Sequence, residues 1–355
     1  MNYQQEIEEL LETTAEQNAS DFHLTIGRYP TLRIHGGLIP LIKKNILSPK
    51  DTEGLAFALI SEEQKEKFLK EKELDFSYNF RDRARFRCNL YFQRGYISAA
   101  LRLIPAKIKT IEELNLPQIL KQFCKEPQGF FLSVGPTGHG KTTTLAAMVD
   151  LINHSRNDHI LTIEDPIEYL FIPDRAIVSQ REVGIDTTDF SRAMKAMFRE
   201  DIDVAMIGEM RDAETIAAAV TAAETGHLVV STLHTNNASQ TIDRIIDSFP
   251  AGQQGQIRSQ LSNSLIGIVS QRLIPKIEGG LVPAVEILIA TPAVRNLIRE
   301  NKTYEIDLVI ETSAEMVMVS LNRSLSDLVR RREISLENAE TYSLNPQELR
   351  MLLRG

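Results

Sequence analysis

One eight-residue stretch has the composition of a phosphate-binding loop. Residues 135–142 read GPTGHGKT and match the pattern G-x-x-x-x-G-K-[ST] at every fixed position. An apolar run at 129–134 predicts a strand before the loop, and residues 143–149 predict a helix after it. Glycines let the backbone curl so that its N–H groups face phosphate oxygens, and the helix adds its positive amino-terminal end. The stretch therefore predicts a nucleotide-binding site.

The side chains of this loop have expected roles in binding ATP. Lys141 should reach the β- and γ-phosphates, and the hydroxyl of Thr142 should bind Mg²⁺. A chance glycine-rich turn is the alternative, and the strand and helix around the loop argue against it. The expected nucleotide-binding residues are Gly135, Pro136, Thr137, Gly138, His139, Gly140, Lys141, Thr142 and Thr143.

Acidic residues follow two further apolar runs. Glu164, Asp165 and Glu168 lie close together after the run at 160–163, and Glu209 follows the next one. Carboxylates this close repel one another unless a cation or a catalytic role offsets the repulsion, and Mg²⁺ with an attacking water would supply both. A solvated acidic loop is the alternative for the first group. Glu209 is placed like a Walker B carboxylate, which holds Mg²⁺ directly or through water.

Two histidines bracket another apolar run, at 228–232. His227 precedes this run and His234 follows it. Histidines so placed could sense the γ-phosphate or bond to a neighbouring site, whereas a single histidine is more often structural. No third ligand lies at zinc-like spacing, so the pattern argues against a zinc site.

The composition is that of an ordinary soluble protein of 355 residues, with 43% hydrophobic and 25% charged residues. A net charge of −8 and a pI of about 5.5 argue against a dedicated nucleic-acid binder. No apolar run reaches the ~18 residues of a membrane span, and the first residues are unlike a signal peptide. Cys88 and Cys124 suit a reducing cytosol, and both are expected in the core.

The chain reads as an α+β domain followed by an α/β domain. Near-continuous apolar strands alternating with helices predict a mostly parallel sheet whose ligands bind at the carboxyl ends of its strands. In the first domain we expect helices at 2–18 and 48–69, a hairpin at 31–42 that turns at His35, and strands at 75–78, 84–91 and 98–104. In the second we expect strands at 130–134, 160–163, 204–207 and 228–232, a hairpin at 273–288, and helices at 114–123, 189–198, 213–225, 255–273 and 291–300.

Taken together, the motifs resemble those of the type II and type IV secretion ATPases, and among these the PilT-type pilus-retraction ATPases. The resemblance covers about residues 5–305. Residues 164–168 resemble the family's Asp box, 208–212 its Walker B motif, 226–235 its His box, and 293–300 (AVRNLIRE) a signature of retraction members, with further matches at 19–24, 84–87 and 179–184.

The resemblance implies a particular domain organisation. It implies a PAS-like amino-terminal domain at 1–104, a linker at 105–117 that begins with Pro105, a RecA-like P-loop ATPase domain at 118–290 and a helical carboxyl-terminal region at 291–355. It also implies a homohexameric ring in which ATP binds between the two domains of a subunit.

The same resemblance assigns catalytic roles. Glu168 is the expected general base, and Glu209 is the expected Walker B carboxylate that helps to hold Mg²⁺. Glu164, Asp165, His227 and His234 are expected in or near the site. Arg87 and Arg102 are the expected arginines that complete it, with Arg85 and Arg94 next, although each arginine could equally serve only to solvate the sheet.

The implied function is a cytoplasmic motor at the inner face of the bacterial inner membrane. Its domain movements would act on an inner-membrane platform protein and drive pilin disassembly and twitching motility, with related pilus ATPases as further partners. A pilus-assembly or type II secretion ATPase is the alternative, although those relatives usually carry a four-cysteine zinc element. A RecA-like DNA translocase or a non-hydrolysing regulator fits the residues less well.

Three features depart from the family pattern or need their own interpretation. His139 replaces the usual serine, and we expect its side chain to face outward. Ile202 replaces a proline before the Walker B run, and the match fades after Tyr304. In the helix at 293–300, the apolar stripe should face the core, and the charged side, which includes Arg295, is expected to be an interaction surface.

Overall fold

The computed structural model describes residues 2–17, 19–34, 36–81, 84–104 and 107–354. The chain forms two compact units, residues 1–107 with 168–170 and residues 108–167 with 171–355. Each unit is built around one sheet, so the expected α+β and α/β classes are confirmed. The predicted turn at His35 and the predicted linker start at Pro105 lie outside the described residues.

Among its described residues, the first unit contains an antiparallel sheet of six strands and three helices. Phe22, Phe86 and Leu101 of the strands are fully buried together with Leu10 and Leu55 of the helices. The strands are β1 (Asp21–Leu24), β2 (Thr31–Ile34), β3 (Gly37–Pro40), β4 (Glu73–Phe80), β5 (Ala84–Gln93) and β6 (Tyr96–Ile104), in the order β3-β2-β1-β6-β5-β4, and the helices are α1 (Tyr3–Glu16), α2 (Pro49–Phe57) and α3 (Glu62–Glu71).

The helix signals over 48–69 are confirmed, with the expected cap at Ser48, although the structure divides this stretch into two helices. Ser61 accepts the backbone N–H of Gln64, and the Gln64 side chain accepts the N–H of Ser61. This capping box begins α3 and separates it from α2, which begins with a capping box of its own at Ser48.

The candidate arginines lie on the sheet of the first unit. Arg87 and Arg102 are directly opposite each other on β5 and β6, and Arg102 Nε donates to Asp21 Oδ1 at 2.9 Å. Like charges in this position repel, so the carboxylate of Asp21 offsets part of the repulsion. Arg94 lies instead in the two-residue turn with Gly95 at the other end of these strands. Arg87 and Arg102 are therefore neighbours, and Arg94 is not part of their pair.

The second unit is organised around a seven-stranded sheet that is parallel except for one edge strand. Its strands are β7 (Gly129–Val134), β8 (His159–Glu164), β9 (Ile177–Glu182), β10 (Val204–Ile207), β11 (Leu228–Leu233), β12 (Leu265–Pro275) and β13 (Leu281–Ile289), in the order β13-β12-β7-β11-β10-β8-β9. Every residue of β7, β10 and β11 is buried, which confirms the expected cover of helices on both faces.

Eleven helices of the second unit are described. Asp189, Asp212 and Asn237 cap three of them by accepting backbone N–H groups. The helices are α4 (Leu120–Phe123), α5 (Lys141–Ser155), α6 (Phe190–Met197), α7 (Ala213–Glu224), α8 (Ala238–Asp247), α9 (Ala251–Ser264), α10 (Pro292–Arg299), α11 (Ile306–Thr312), α12 (Leu321–Arg330), α13 (Leu336–Tyr342) and α14 (Pro346–Arg354).

Two predicted helices of this unit are wrong in extent. The helix expected over 255–273 ends at Ser264, and the chain continues as β12, which pairs with β7 and is almost wholly buried. A short apolar run cannot be assigned to helix or strand by periodicity alone, and here the neighbouring strand decides it. The helix expected over 114–123 is reduced to α4, because Pro117 disfavours helical geometry at the residue before it.

Two smaller expectations can be compared with the structure. Cys88 and Cys124 are buried as expected, and burial raises the pKa of the Cys124 thiol to about 12. Within the described ranges, no helix is both long and apolar enough to cross a membrane.

The expectation that Arg295 faces outward is wrong. Its guanidinium donates to the carbonyl oxygens of Ala290, Asn263 and Leu265 at 2.9, 2.9 and 3.1 Å. These carbonyls lie after β13, near the end of α9 and at the start of β12. Arg295 therefore joins three elements of its own unit, whereas Arg299 on the same helix is exposed.

Candidate active site

The glycines of the phosphate-binding loop allow a close approach to strand β12. A Cβ atom on Gly135 would lie 2.4 Å from the backbone oxygen of Gln271, and Gly135 has a φ of +144°. Gly140 begins α5 with a φ of +81°, a left-handed conformation that other residues adopt at a cost. Because glycine has no side chain that could cap the helix, the first backbone N–H groups of α5 are available to donate to other acceptors.

Lys141 and Thr137 of the loop meet His234 at the carboxyl end of the neighbouring strand β11. Lys141 Nζ donates to the carbonyl of Pro136 at 2.9 Å and lies 3.4 Å from His234 Nδ1. Thr137 Oγ1 lies 3.2 Å from the same nitrogen. The loop and the His box therefore meet, as the spacing of the motifs predicts.

His234 extends this contact to the carboxylates. Its Nε2 lies 3.4 Å from Glu209 Oε1, and Arg211 Nη2 lies 3.0 Å from Glu209 Oε2. Arg211 also lies 3.9 Å from Asp165. Burial and the Lys141 charge lower the pKa of His234, which favours a neutral ring that accepts at Nδ1 and donates from Nε2. We call the chain Lys141–His234–Glu209–Arg211–Asp165 the strand-end network.

The three expected carboxylates of the Asp box are in different surroundings. Glu164 is buried, and its Oε1 accepts from Thr162 Oγ1 at 2.6 Å and from Gln180 Nε2 at 3.3 Å. Asp165 is exposed and faces Arg211. Glu168 is exposed and belongs to the segment 168–170 of the first unit. Only Asp165 of the three joins the strand-end network through a contact described here.

His227 is not part of the strand-end network. Its Nδ1 lies 2.9 Å from the carbonyl of Ala222, and its ring meets Phe198 edge to face at 5.8 Å. It precedes β11, whereas His234 follows it, so about 20 Å of strand separates the two rings. The two histidines therefore do not share a site within this unit.

The expectation that His139 faces outward is wrong. Its Nδ1 accepts the backbone N–H of Leu273 at 2.9 Å, and its ring meets Tyr342 edge to face at 6.0 Å. Burial and the charges of Arg272 and Lys141 lower the pKa of His139 and favour the neutral, accepting form. His139 therefore fixes the loop to its surroundings.

Comparison with known proteins places this site in a family. The family model of the type II/IV secretion system proteins matches residues 100–303. The type IV pilus retraction ATPase PilT of Pseudomonas aeruginosa is 45% identical over 96% of this chain and 99% of its own length. A twitching motility protein of Neisseria gonorrhoeae is 41% identical over 96% of this chain and 91% of its own length.

A solved structure agrees with these relatives. The crystal structure of the pilus retraction motor PilT with bound ADP has a TM-score of 0.91 and 47% identity, and it covers 97% of this chain and 98% of that one. The chain is a PilT-type member of the type II/IV secretion ATPases. It is therefore a nucleotide-binding ATPase. The loop at 135–142 matches the Walker A pattern.

The donors of this PilT-type site suit a metal ion that arrives with the nucleotide. Within the described residues, no group of three or more His, Cys, Asp or Glu side chains could hold a metal ion by itself. Thr142 lies in the first turn of α5, and Glu209 is partly exposed at the end of β10. One hydroxyl and one carboxylate fit Mg²⁺ if phosphate oxygens and water complete its ligands.

Sequence analysis missed residues that support this PilT-type site. Gln271 accepts from Thr144 Oγ1 at 2.7 Å and donates to the carbonyl of His139 at 2.8 Å. Arg211 connects Glu209 with Asp165. In the sequence, Gln271 could have been noticed as an amide side chain, followed by the charged Arg272, within a mostly apolar run.

A cavity of about 80 Å³ lies beside the phosphate-binding loop. Leu114, Leu116, Leu273 and Pro283 form a large part of its lining.

Proposed function

We propose that this chain is the ATP-driven motor of type IV pilus retraction. Its similarity to the retraction ATPase PilT extends over nearly the whole of both chains, which supports the same task here. In this proposal it acts as a homohexamer in the cytoplasm, at the inner face of the inner membrane. Its partners are an inner-membrane platform protein and related pilus ATPases, and specific nucleic acid is not among them.

The strand-end network carries the proposal for the chemistry. Lys141, whose Nζ donates to the carbonyl of Pro136 in this structure, binds the β- and γ-phosphates of ATP. Because His234 contacts both Lys141 and Glu209, a change at the phosphate reaches the Walker B carboxylate through Lys141 and His234. Binding and release of the γ-phosphate would thus alter the contacts of Glu209.

Hydrolysis requires a base and charge neutralisation at the phosphates. We assign Glu168 as the general base that accepts a proton from the attacking water. Thr142 and Glu209 would hold Mg²⁺, Glu209 partly through water, and a bound Mg²⁺ would supply charge neutralisation at the phosphates. We also assign Arg87 and Arg102 to complete the site, which is the role that the family resemblance implies for them.

Counting surface pili tests the direction of the motor. In the native host, a strain that lacks the chain and a strain with Lys141→Ala should both carry excess pili that do not retract, and both should lose twitching motility. Bald cells would indicate an assembly motor instead. Unaltered pili would contradict a pilus function and direct attention to secretion or DNA translocation.

A pair of glutamine variants tests the catalytic roles separately. Glu168→Gln and Glu209→Gln should each bind ADP like the wild type while ATP turnover falls at least about 100-fold. Glu214→Gln, which changes an exposed carboxylate paired with Lys195, is the matched control and should turn over normally. Wild-type turnover by either active-site variant would remove that residue from its assigned role.

A further inference from the structure

The phosphate-binding loop lies along the part of strand β12 that extends beyond β7. β7 ends at Val134, which is paired with Ser270, whereas β12 continues to Pro275. The loop occupies the place beside this extension where a strand would otherwise pair. The support comes from residues 271–273 of β12.

Three contacts fix the loop to this extension. Gln271 Nε2 donates to the carbonyl of His139 at 2.8 Å, and Gln271 Oε1 accepts from Thr144 of α5 at 2.7 Å. The N–H of Leu273 donates to His139 Nδ1 at 2.9 Å. His139 is thus held through both its backbone oxygen and its ring.

The ring of His139 also touches the carboxyl-terminal helices. Tyr342, the last residue of α13, meets it at 6.0 Å with the two planes 83° apart. Edge-to-face rings at this separation attract each other beyond simple burial. The same helices are secured to the sheet, because Asn338 donates to the carbonyl of Pro275 at 3.0 Å and Leu325 and Leu349 share a core with Ile274.

We propose that the carboxyl-terminal helices hold the phosphate-binding loop through Tyr342 on His139, and that Tyr342 is a positioning residue for nucleotide binding. A loop held in its phosphate-accepting shape binds nucleotide more tightly than one that must first be ordered. The coupling is reciprocal, so bound nucleotide also stabilises the packing of α13. This proposal concerns nucleotide affinity and holds for either direction of the motor.

Nucleotide binding by Tyr342 variants of the full chain tests the proposal. Tyr342→Ala should weaken ADP binding about two- to tenfold and raise the KM for ATP by a similar factor, while kcat changes less than about twofold. Tyr342→Phe keeps the ring and should match the wild type. Should the alanine variant fold poorly, Tyr342→Leu, which fills the apolar space without a ring, should show the same loss of ADP affinity. Wild-type affinity in a folded Ala or Leu variant would overturn the proposal.

A double-mutant cycle separates positioning from general stability. His139→Asn retains an acceptor for the N–H of Leu273 but removes the ring that Tyr342 touches. Adding Tyr342→Ala to His139→Asn should then cost no further ADP affinity, a departure from additivity of at least about twofold. Fully additive losses would overturn the proposal. Hydrogen exchange should agree, with ADP slowing exchange in 336–342 of the wild type and not of Tyr342→Ala.

Discussion

The two ends of the parallel sheet in the second unit use the same residue types for different purposes. At the carboxyl end, His234 and Arg211 contact a lysine and carboxylates that remain partly accessible. At the amino end, His227 and Arg295 contact backbone carbonyls of their own unit. Position along the strand, and not residue type, distinguishes the two sets.

The difference follows from how backbone groups are satisfied in such a sheet. At the amino end, helices end and strands begin, so carbonyl oxygens need donors, and cationic or ring N–H groups supply them. At the carboxyl end, the turn into α5 presents N–H groups that attract anions. Side chains at this second end are therefore left to contact one another and a ligand.

The largest effect is expected at the carboxyl end from Lys141→Ala. Lys141 is the cation of the phosphate-binding loop, so its loss should lower ATP turnover at least about 1,000-fold or abolish ADP binding. Lys195→Ala, which removes a mostly exposed lysine of α6, is the control. ATPase assays and ADP titrations measure both. Substantial turnover by Lys141→Ala would place the phosphates elsewhere in the chain.

The histidine pair tests the contrast most directly. His234→Ala should lower kcat on the order of tenfold to 100-fold, because it breaks the contact between Lys141 and Glu209. His227→Ala should keep kcat within about twofold and reduce the free energy of unfolding by about 1 kcal/mol through its lost carbonyl contact. Steady-state kinetics and urea unfolding of both variants give the answer. A large loss of kcat in His227→Ala would mean that this histidine serves a neighbouring subunit.

Much of the site follows from sequence, because motifs with fixed local geometry carry it. The Walker A pattern places Lys141 at the start of a helix, and acidic or histidine residues after apolar runs fall at one edge of a parallel sheet. That His234 rather than His227 meets Lys141 and Glu209 is seen only in the structure. Residue roles such as that of Glu168 remain predictions.

Contacts between residues that lie far apart in the chain could not be predicted from the sequence. The ring of His139 meets Tyr342 and the N–H of Leu273, neither of which its own motif specifies. The charged side of the helix at 293–300, opposite its apolar stripe, suggested an interaction surface, but Arg295 reaches carbonyls on other elements. The extension of β12 was assigned to a helix because its apolar run fits both periods.

Buried charge at the carboxyl end should cost stability, and Glu286 tests this. Glu286 on β13 is 7% exposed, and burial raises its pKa from 4.5 to about 7, with Asp307 raising it and Arg272 lowering it. Its contribution to stability is therefore complete below about pH 4.5 and is lost as the pH rises through about 7. Glu286→Gln can keep the contact with the Ala238 N–H, so above pH 7 it should be more stable than wild type by on the order of 3 kcal/mol.

Urea unfolding at several pH values checks this prediction. The advantage of Glu286→Gln should grow between about pH 5 and pH 7.5 and then level off. Glu278→Gln changes an exposed carboxylate in the β12–β13 turn and should show no such trend. An advantage that is independent of pH would mean that Glu286 is not the titrating group.

A smaller effect of opposite sign is expected at the amino end of the sheet, where Arg295→Ala should lower the free energy of unfolding. Charge there stabilises the fold, because one guanidinium satisfies carbonyls of α9, β12 and the segment after β13. Its removal should lower the free energy of unfolding by about 2 kcal/mol. Arg295→Lys should recover only part of this, since an ammonium lacks the planar fork that reaches several acceptors. Arg299→Ala, an exposed change on the same helix, should stay within about 0.5 kcal/mol of wild type.

If Arg295→Ala were as stable as Arg299→Ala, the contacts of Arg295 with the three carbonyls would contribute no net stability. The charged side of α10 would then have to be explained by a partner rather than by its own sheet.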